Sequence, residues 1–264
     1  MTKVSQAVIL AAGMGTRLGN FSHCKPKGFL QLSAYTLIEE SLHRLVQAGV
    51  EEIIIVTGFE AECYQKLAEQ FDGLVHIVHN DKFNESGSLY SLSLATPLLQ
   101  GDYLLLESDI IYESRALLLT LACDAQNVTL LSGPTGAGDE VYVSTSKLGE
   151  QLSLKNMSKD KRMLGDNIFG ELVGIHRISW SLHQVLMDFA HQQFTVNLNL
   201  DYETDGLVSV AASLPINTLL VEDLLWGEID DVRHLERMQS SIYEQICRQD
   251  DAERALWPEP LKLF

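Results

Sequence analysis

"AVILAAGMGTRLGNFSHCKPKG", Ala7 to Gly28, sets an apolar run of strand length directly against a glycine-rich turn. An arginine and two lysines follow, and no acid interrupts them. The acid-free text is longer than the motif, running from Met1 to Ile38. With 36 Asp and Glu in 264 residues, average density would place about five acids there. Strand, small-residue turn and local cations together predict an anion-binding loop at the carboxyl edge of a parallel sheet. Ala11, Ala12, Gly13 and Gly15 carry little or no side chain, so a ligand can lie against their backbone amides.

Three other glycine texts compete for this stretch. The phosphate loop GxxxxGK[ST] is absent. The dinucleotide fingerprint needs GxGxxG, whereas Gly13, Gly15 and Gly19 are spaced GxGxxxG with Arg17 inside. That fingerprint also expects an acid closing the second strand, and "IIIVTG" ends without one. A plain strand-to-helix turn accounts for the glycines but leaves the cations and the missing acids unexplained.

Outward from the turn, the first half alternates regularly. Strand-length apolar runs occur at "QAVILAA", "EEIIIVTG", "LVHIVHN", "DYLLLES" and "NVTLLSG". Helical patterns lie between them at "TLIEESLHRLVQAG", "EAECYQKLAEQF", "SGSLYSLSLATPLL" and "SRALLLTLACD". Such βαβα text, with strands apolar on both faces, predicts an α/β fold: a predominantly parallel, mixed and twisted sheet with helices on both faces. Residues 133–170 read differently, being polar and Gly-rich, and predict ribbons and loops over one end of the sheet, a lid. A strand "ELVGIHRI", helices from about Trp180 and Leu200, a strand "INTLLVE" and a final helix after Asp230 complete the chain. With no repeat and no linker, residues 1–264 read as one domain.

A net charge of −17 argues against nucleic acid and anionic membrane as partners. Apolar runs fall short of the roughly 18–20 residues that span a bilayer, and the start lacks a signal peptide's basic region and long apolar stretch. Cys24, Cys63, Cys123 and Cys247 are scattered without a CxxC pair, which predicts reduced thiols and a cytoplasmic location.

Further candidates stand at the ends of the predicted strands. In "NDKFNESGSLYSLSLA", Ser86 and Ser88 flank Gly87 before a helical pattern, suiting a helix N-terminus with exposed amides. Ser86 as a mere cap is the alternative. "LLLESDIIYE" ends a buried strand in Glu107, Ser108 and Asp109, where an acid is better placed for a metal than for packing. "LLWGEIDDVRHLERM" sets Asp230 just before the last helix; Asp230 and Asp231 also suit helix caps.

LAAGxGTR followed by KPK resembles the nucleotidyltransferases that activate sugar phosphates and small phosphoesters with a nucleoside triphosphate. The resemblance implies their Rossmann-like fold, with a loop of Ala11, Ala12, Gly13, Gly15 and Thr16 around the triphosphate. It gives Arg17 and Lys27 phosphate contacts, with Lys25 as a helper, and a pyrimidine between the LAAG turn and Gly87–Ser88. It also implies a Mg²⁺ site on Asp109 and Asp230, in keeping with the one or two carboxylates that Mg²⁺ usually takes. "ESDIIYE", "SGPTGAGDEVYV", "NMSKDKR", "GELVGI" and "LLWGEIDD" are similar to the phosphocholine and 2-aminoethylphosphonate cytidylyltransferases, and most to the latter.

Chemistry gives a separate lean between those acceptors. Choline has no N–H to donate and suits an aromatic cage, whereas a primary ammonium prefers carboxylates. The predicted lid and cleft offer Asp139, Glu140, Glu171, Asp201 and Glu203, against Tyr142, Phe169, Trp180, Tyr202 and Trp226. The expected partners are therefore CTP and a small zwitterionic phosphonate or phosphate, on a monomer or homodimer. The expected reaction is transfer of CMP to 2-aminoethylphosphonate with release of pyrophosphate. Lys159 either reaches in from the lid or is a surface lysine. Phosphocholine, a sugar phosphate with another nucleotide, and a non-catalytic nucleotide binder are the open rivals.

Overall fold

The computed structural model describes residues 4–15, 25–138, 140–149, 151–165 and 167–256. Thr16, Arg17 and Asp139 lie outside the described residues.

In chain order the first half runs β1 (Gln6–Ala11), α1 (Leu37–Gln47), β2 (Glu52–Thr57), α2 (Ala61–Ala68), β3 (Val75–His79), α3 (Ser88–Ala95), β4 (Tyr103–Glu107), β5 (Ile110–Tyr112), α4 (Arg115–Ala122) and β6 (Val128–Ser132). A hairpin of β7 (Tyr142–Leu148) and β8 (Gln151–Ser158) follows, then the long β9 (Ile168–Ile178) and α5 (Trp180–Phe194). A wide π turn, Tyr202–Leu207, leads into the single turn α6 (Val208–Val210). The chain then forms β10 (Asn217–Val221), β11 (Trp226–Glu228), α7 (Val232–Arg237) and α8 (Tyr243–Leu256).

Among the described residues, nine strands form one sheet in the order β3-β2-β1-β4-β9-β6-β10-β8-β7. β3, β2, β1 and β4 pair in parallel, as do β6 and β10, whereas β9 runs antiparallel to both β4 and β6. The alternation of side chains across a strand explains why the central runs are apolar throughout. Val8, Ile54 and Leu105 enter the core that α3 and α5 cover. Their neighbours Ala7, Ile9, Ile53, Ile55, Leu104 and Leu106 enter the core under α1, α2 and α4. α1 starts sharply because Thr36 accepts from the Glu39 amide while Glu39 accepts from the Thr36 amide, a reciprocal cap.

Three elements differ from the sequence reading. β7 and β8 are hydrogen-bonded into the main sheet, through Ser153 opposite Asn217 and Tyr142 opposite Glu171. Their polar text, "YVSTSKL" and "QLSLKNMS", hides them because only part of each strand is buried. The helix expected from Leu200 is mostly a π turn. Gly206 lies there against Leu89 and Leu186, where a Cβ would come within 3.2 and 3.0 Å. The third difference is a separate two-stranded antiparallel ladder of β5 and β11, too short to carry a pattern.

Candidate active site

β1 lies between β2 and β4, so the loop leaving its carboxyl end opens at the point where the strand order reverses, the usual ligand edge of such sheets. Ala11, Ala12, Gly13 and Gly15 line a cleft of about 330 Å³ there, with Gly87 and Ser88 also in its wall. Gly15 has φ +60, and a Cβ on it would stand 2.7 Å from Lys27 Cγ. The bare backbone at 15 thus lets the Lys27 stem through.

Lys27 follows Pro26 in a tight turn and points its ammonium at two acids. Nζ lies 2.8 Å from Asp109 Oδ2 and is also paired with Asp230 Oδ1. Burial alone would lower the Lys27 pKa, but Asp109 and Asp230 outweigh it and hold it above the ordinary lysine value. The β5–β11 ladder brings these distant acids together. Glu228 stands opposite Ile110, and the Ile229 amide donates to the Asp109 carbonyl at 2.9 Å. Asp231, not Asp230, caps α7 by accepting from the His234 amide at 3.0 Å, which leaves Asp230 buried and facing Lys27.

Carboxylates crowd around this ion pair. One oxygen each from Glu107, Asp109 and Glu228 lies within 4.8 Å of the others. Burial and then Asp109 push the Glu107 carboxyl up to about 7. Burial, then Asp109, Glu107 and Asp230, push Glu228 up to about 10. Glu203 rises to about 8 through burial and then Glu107 and Asp201, and its Oε2 is buried without a hydrogen-bond partner among the described residues. A hard divalent cation suits such an all-oxygen set and would relieve its like-charge repulsion. Trp226, Glu228 and Asp230 alternate along one extended stretch, so a period of two was the signal that could have added Glu228 to the site.

A second cavity, about 120 Å³, adjoins the first and shares Glu107 and Glu203 with it. Glu140 brings further negative charge and Glu228 a carboxyl, while Lys159 and Arg237 bring positive charge. Lys159 acts on Glu107, Asp201 and Glu203, lowering the pKa of each against the other effects. Trp226 is the one Phe, Tyr or Trp among its described lining residues. Trp180 stacks on His183, and the Tyr142 ring lies under the Lys161 ammonium at 4.2 Å.

Two of the acids assigned to an acceptor stand elsewhere. Glu171 accepts from the Thr135 amide at 2.8 Å and lines a different surface cavity, with Phe169 and Lys161, so its work is to hold the 135 loop. Asp201 faces the glycine-lined cleft near Ser88 Oγ, at 3.5 Å, instead of the second cavity. Gly87 and Ser88 are also structural: the Gly87 amide donates to the Leu198 carbonyl, and Ser88 Oγ accepts from the Tyr202 amide. Ser86 is no cap, since Gly87 holds that position and Ser86 donates to the Lys82 carbonyl.

A sequence profile described as the MobA-like NTP transferase domain matches residues 7–167. The chain is 32% identical over 108 residues to a 2-aminoethylphosphonate cytidylyltransferase of Lancefieldella rimae, covering 40% of this chain and 44% of that one. It is 36% identical over 100 residues to a choline-phosphate cytidylyltransferase of Streptococcus pneumoniae, covering 38% and 43%. The matches span about half or less of the curated relatives' own length, from 21% to 54%. In fold it is similar to the inositol-1-phosphate CTP transferase from T. maritima, with TM-score 0.77, 18% identity, and 93% and 96% of the two chains covered.

Proposed function

The chain belongs to the MobA-like NTP transferase domain family, and we propose that within it the protein transfers CMP from CTP to 2-aminoethylphosphonate. A phosphonate oxygen attacks the α-phosphorus of CTP, the bond from that phosphorus to the bridging oxygen breaks, and pyrophosphate leaves. The attacking oxygen is ionised near neutral pH, so the reaction requires no general base. Positioning and charge neutralisation then carry the rate.

Lys27 supplies a fixed cation where the glycine-lined cleft meets the acids, and Arg17 of the same motif is its expected companion on the triphosphate. Glu107, Asp109 and Glu228 would hold Mg²⁺, with Asp230 set behind Lys27 as its anchor. When bound, Mg²⁺ neutralises charge shared by nucleotide and acceptor. In the second cavity, Glu203 and Glu140 face the acceptor's ammonium and Lys159 and Arg237 its phosphonate. The observation that carries this reading is the meeting of the glycine-lined cleft and a cavity with both charge signs at Glu107 and Glu203. The cytidylyltransferase relatives support it.

Phosphocholine is the second reading, favoured by the Trp226 wall of the second cavity. Pyrophosphate release with CTP and a panel of acceptors separates them. 2-Aminoethylphosphonate is expected to give the highest kcat/KM. A higher value with phosphocholine would replace the acceptor, a preference for UTP would replace the nucleotide, and no release with any nucleotide would reject the enzyme.

A further inference from the structure

Glu107 lines both cavities, and its carboxylate is confined on two sides. Tyr202 Oη donates to Glu107 Oε1 at 2.9 Å. Opposite stands Gly174 at φ +80, where a Cβ would come within 3.0 Å of the carboxylate, so a side chain at 174 would press on Glu107.

Behind Tyr202 runs a chain of polar side chains closed to solvent. His176 Nε2 lies 3.1 Å from Tyr202 Oη, and His176 Nδ1 lies 3.1 Å from Thr129 Oγ1. Thr129 and His176 are 0% exposed and Tyr202 1%. Apolar side chains would fill this part of the core without desolvating polar atoms, so the chain has to be accounted for by what it holds in place.

Its proton directions follow from counting. Tyr202 has one hydroxyl proton and gives it to Glu107. Its oxygen therefore accepts from His176, which puts the imidazole proton on Nε2 and leaves Nδ1 to accept from Thr129. Burial pushes the His176 pKa down to about 3, so the ring is neutral at physiological pH. The Tyr202 amide also donates to Ser88 Oγ at 2.9 Å, which ties the same residue to the start of α3 in the nucleotide cleft.

We propose that His176, acting through Tyr202, is a positioning residue that fixes the Glu107 carboxylate at the boundary between the two cavities. The place of Glu107 in catalysis rests on the nucleotidyl-transfer reading; the hydrogen-bond chain itself does not. Side-chain ¹⁵N NMR of the whole protein tests the chain directly. His176 is expected as the neutral Nε2–H tautomer at about pH 8, with its Nε2 resonance displaced in Tyr202→Phe. The Nδ1–H tautomer would overturn the proposal, because Tyr202 would then donate to His176 and leave Glu107 unheld.

Kinetics test the consequence. With CTP and 2-aminoethylphosphonate, Tyr202→Phe is expected to lower kcat about tenfold or more while KM for CTP moves less than about threefold. His176→Gln offers an N–H in place of Nε2–H and should stay within about threefold of wild type, whereas His176→Leu should fall with Tyr202→Phe. Equal losses in the Gln and Leu variants, at matched melting temperature, would overturn positioning. If the wild-type protein turns over no acceptor, the nucleotidyl-transfer reading fails and the tautomer decides the chain on its own.

Discussion

Lys27 sits between Asp109 and Asp230, so removing it takes a shared cation from two acids, of which Asp230 is 2% exposed. Breaking such a pair from one side typically costs about 3 kcal/mol or more. Lys27→Met is therefore expected to be destabilised by about that amount in urea, and to lose at least about 100-fold in turnover. Lys27→Met with Asp230→Asn should regain much of the stability and none of the turnover; recovered turnover would remove Lys27 from the chemistry. Lys27 was legible in the sequence from KPK, and Asp109 from its place after a buried run. What the sequence left open was the role of Asp230, since an acid two residues before a helix reads equally as cap or ligand. The structure gives the cap to Asp231 and pairs Asp230 with Lys27.

His183 gives a residue-scale test in pH. It is 1% exposed, between Thr96 and Tyr103, and burial lowers its pKa to about 4. In the unfolded chain a histidine titrates near 6.5. As pH falls through that value the unfolded state takes up a proton that the folded state refuses, so stability is lost from about pH 6.5 down towards 4. At pH 5 the loss from this residue is about 2 kcal/mol relative to neutral pH. The wild-type stability difference between pH 7 and 5 should exceed that of His183→Gln by about this amount in urea titrations. Equal differences would contradict a neutral buried ring.

At the scale of elements, α8 is fastened to the body by one buried charge cluster. Asp250 accepts from Arg44 of α1 at 3.0 Å and from the Ser114 amide at the head of α4 at 2.7 Å. Glu40 pairs with Arg44 and accepts from the Tyr243 hydroxyl. Beside it a small core of Leu30, Ile111, Ile229, Leu235, Met238 and Ile246 joins α7 and α8 to the β5–β11 ladder. Asp250→Ala leaves Arg44 buried and short of a partner, and is expected to cost about 3 kcal/mol. Because the cluster lies outside the described lining of both cavities, kcat and KM of the folded variant should stay within about threefold of wild type. An unchanged melting curve would contradict the clamp. Elements such as β1, β2 and β4 were readable because both faces are buried and the text is apolar without a break. β5 and β11 were not, because three residues have no period, and their pairing depends on contacts between remote parts of the chain.

For the whole molecule, the sheet is what makes the site possible. It runs without interruption from β3 to β7, and its two large cores share the strands β1, β2, β4, β6 and β9 between them. The sequence supported an α/β sheet with helices on both faces, but it did not reveal that β9 enters between β4 and β6, or that the 133–170 region contributes strands to the sheet. A polar hairpin carries no apolar signal when one face is exposed. Strands shared between cores should couple the halves of the chain, so urea unfolding followed by fluorescence and by circular dichroism is expected to show one coincident transition. Two separated transitions would mean that the β7–β10 part folds apart from the β1–β4 part. Some of the chain's many acids are concentrated locally, Glu107 and Glu203 lining both cavities and Glu228 the second.

Under the proposed function, the glycine turn, Lys27 and the remote acids build one triphosphate and metal pocket. Anomalous diffraction from crystals grown with CTP and Mn²⁺ tests it most directly. A manganese peak is expected within coordination distance of Asp109, on the Glu107 and Glu228 side, with the nucleotide phosphates against Gly13–Gly15 and Lys27. A manganese ion bound away from Asp109, or a nucleotide lying clear of the glycine turn, would contradict it.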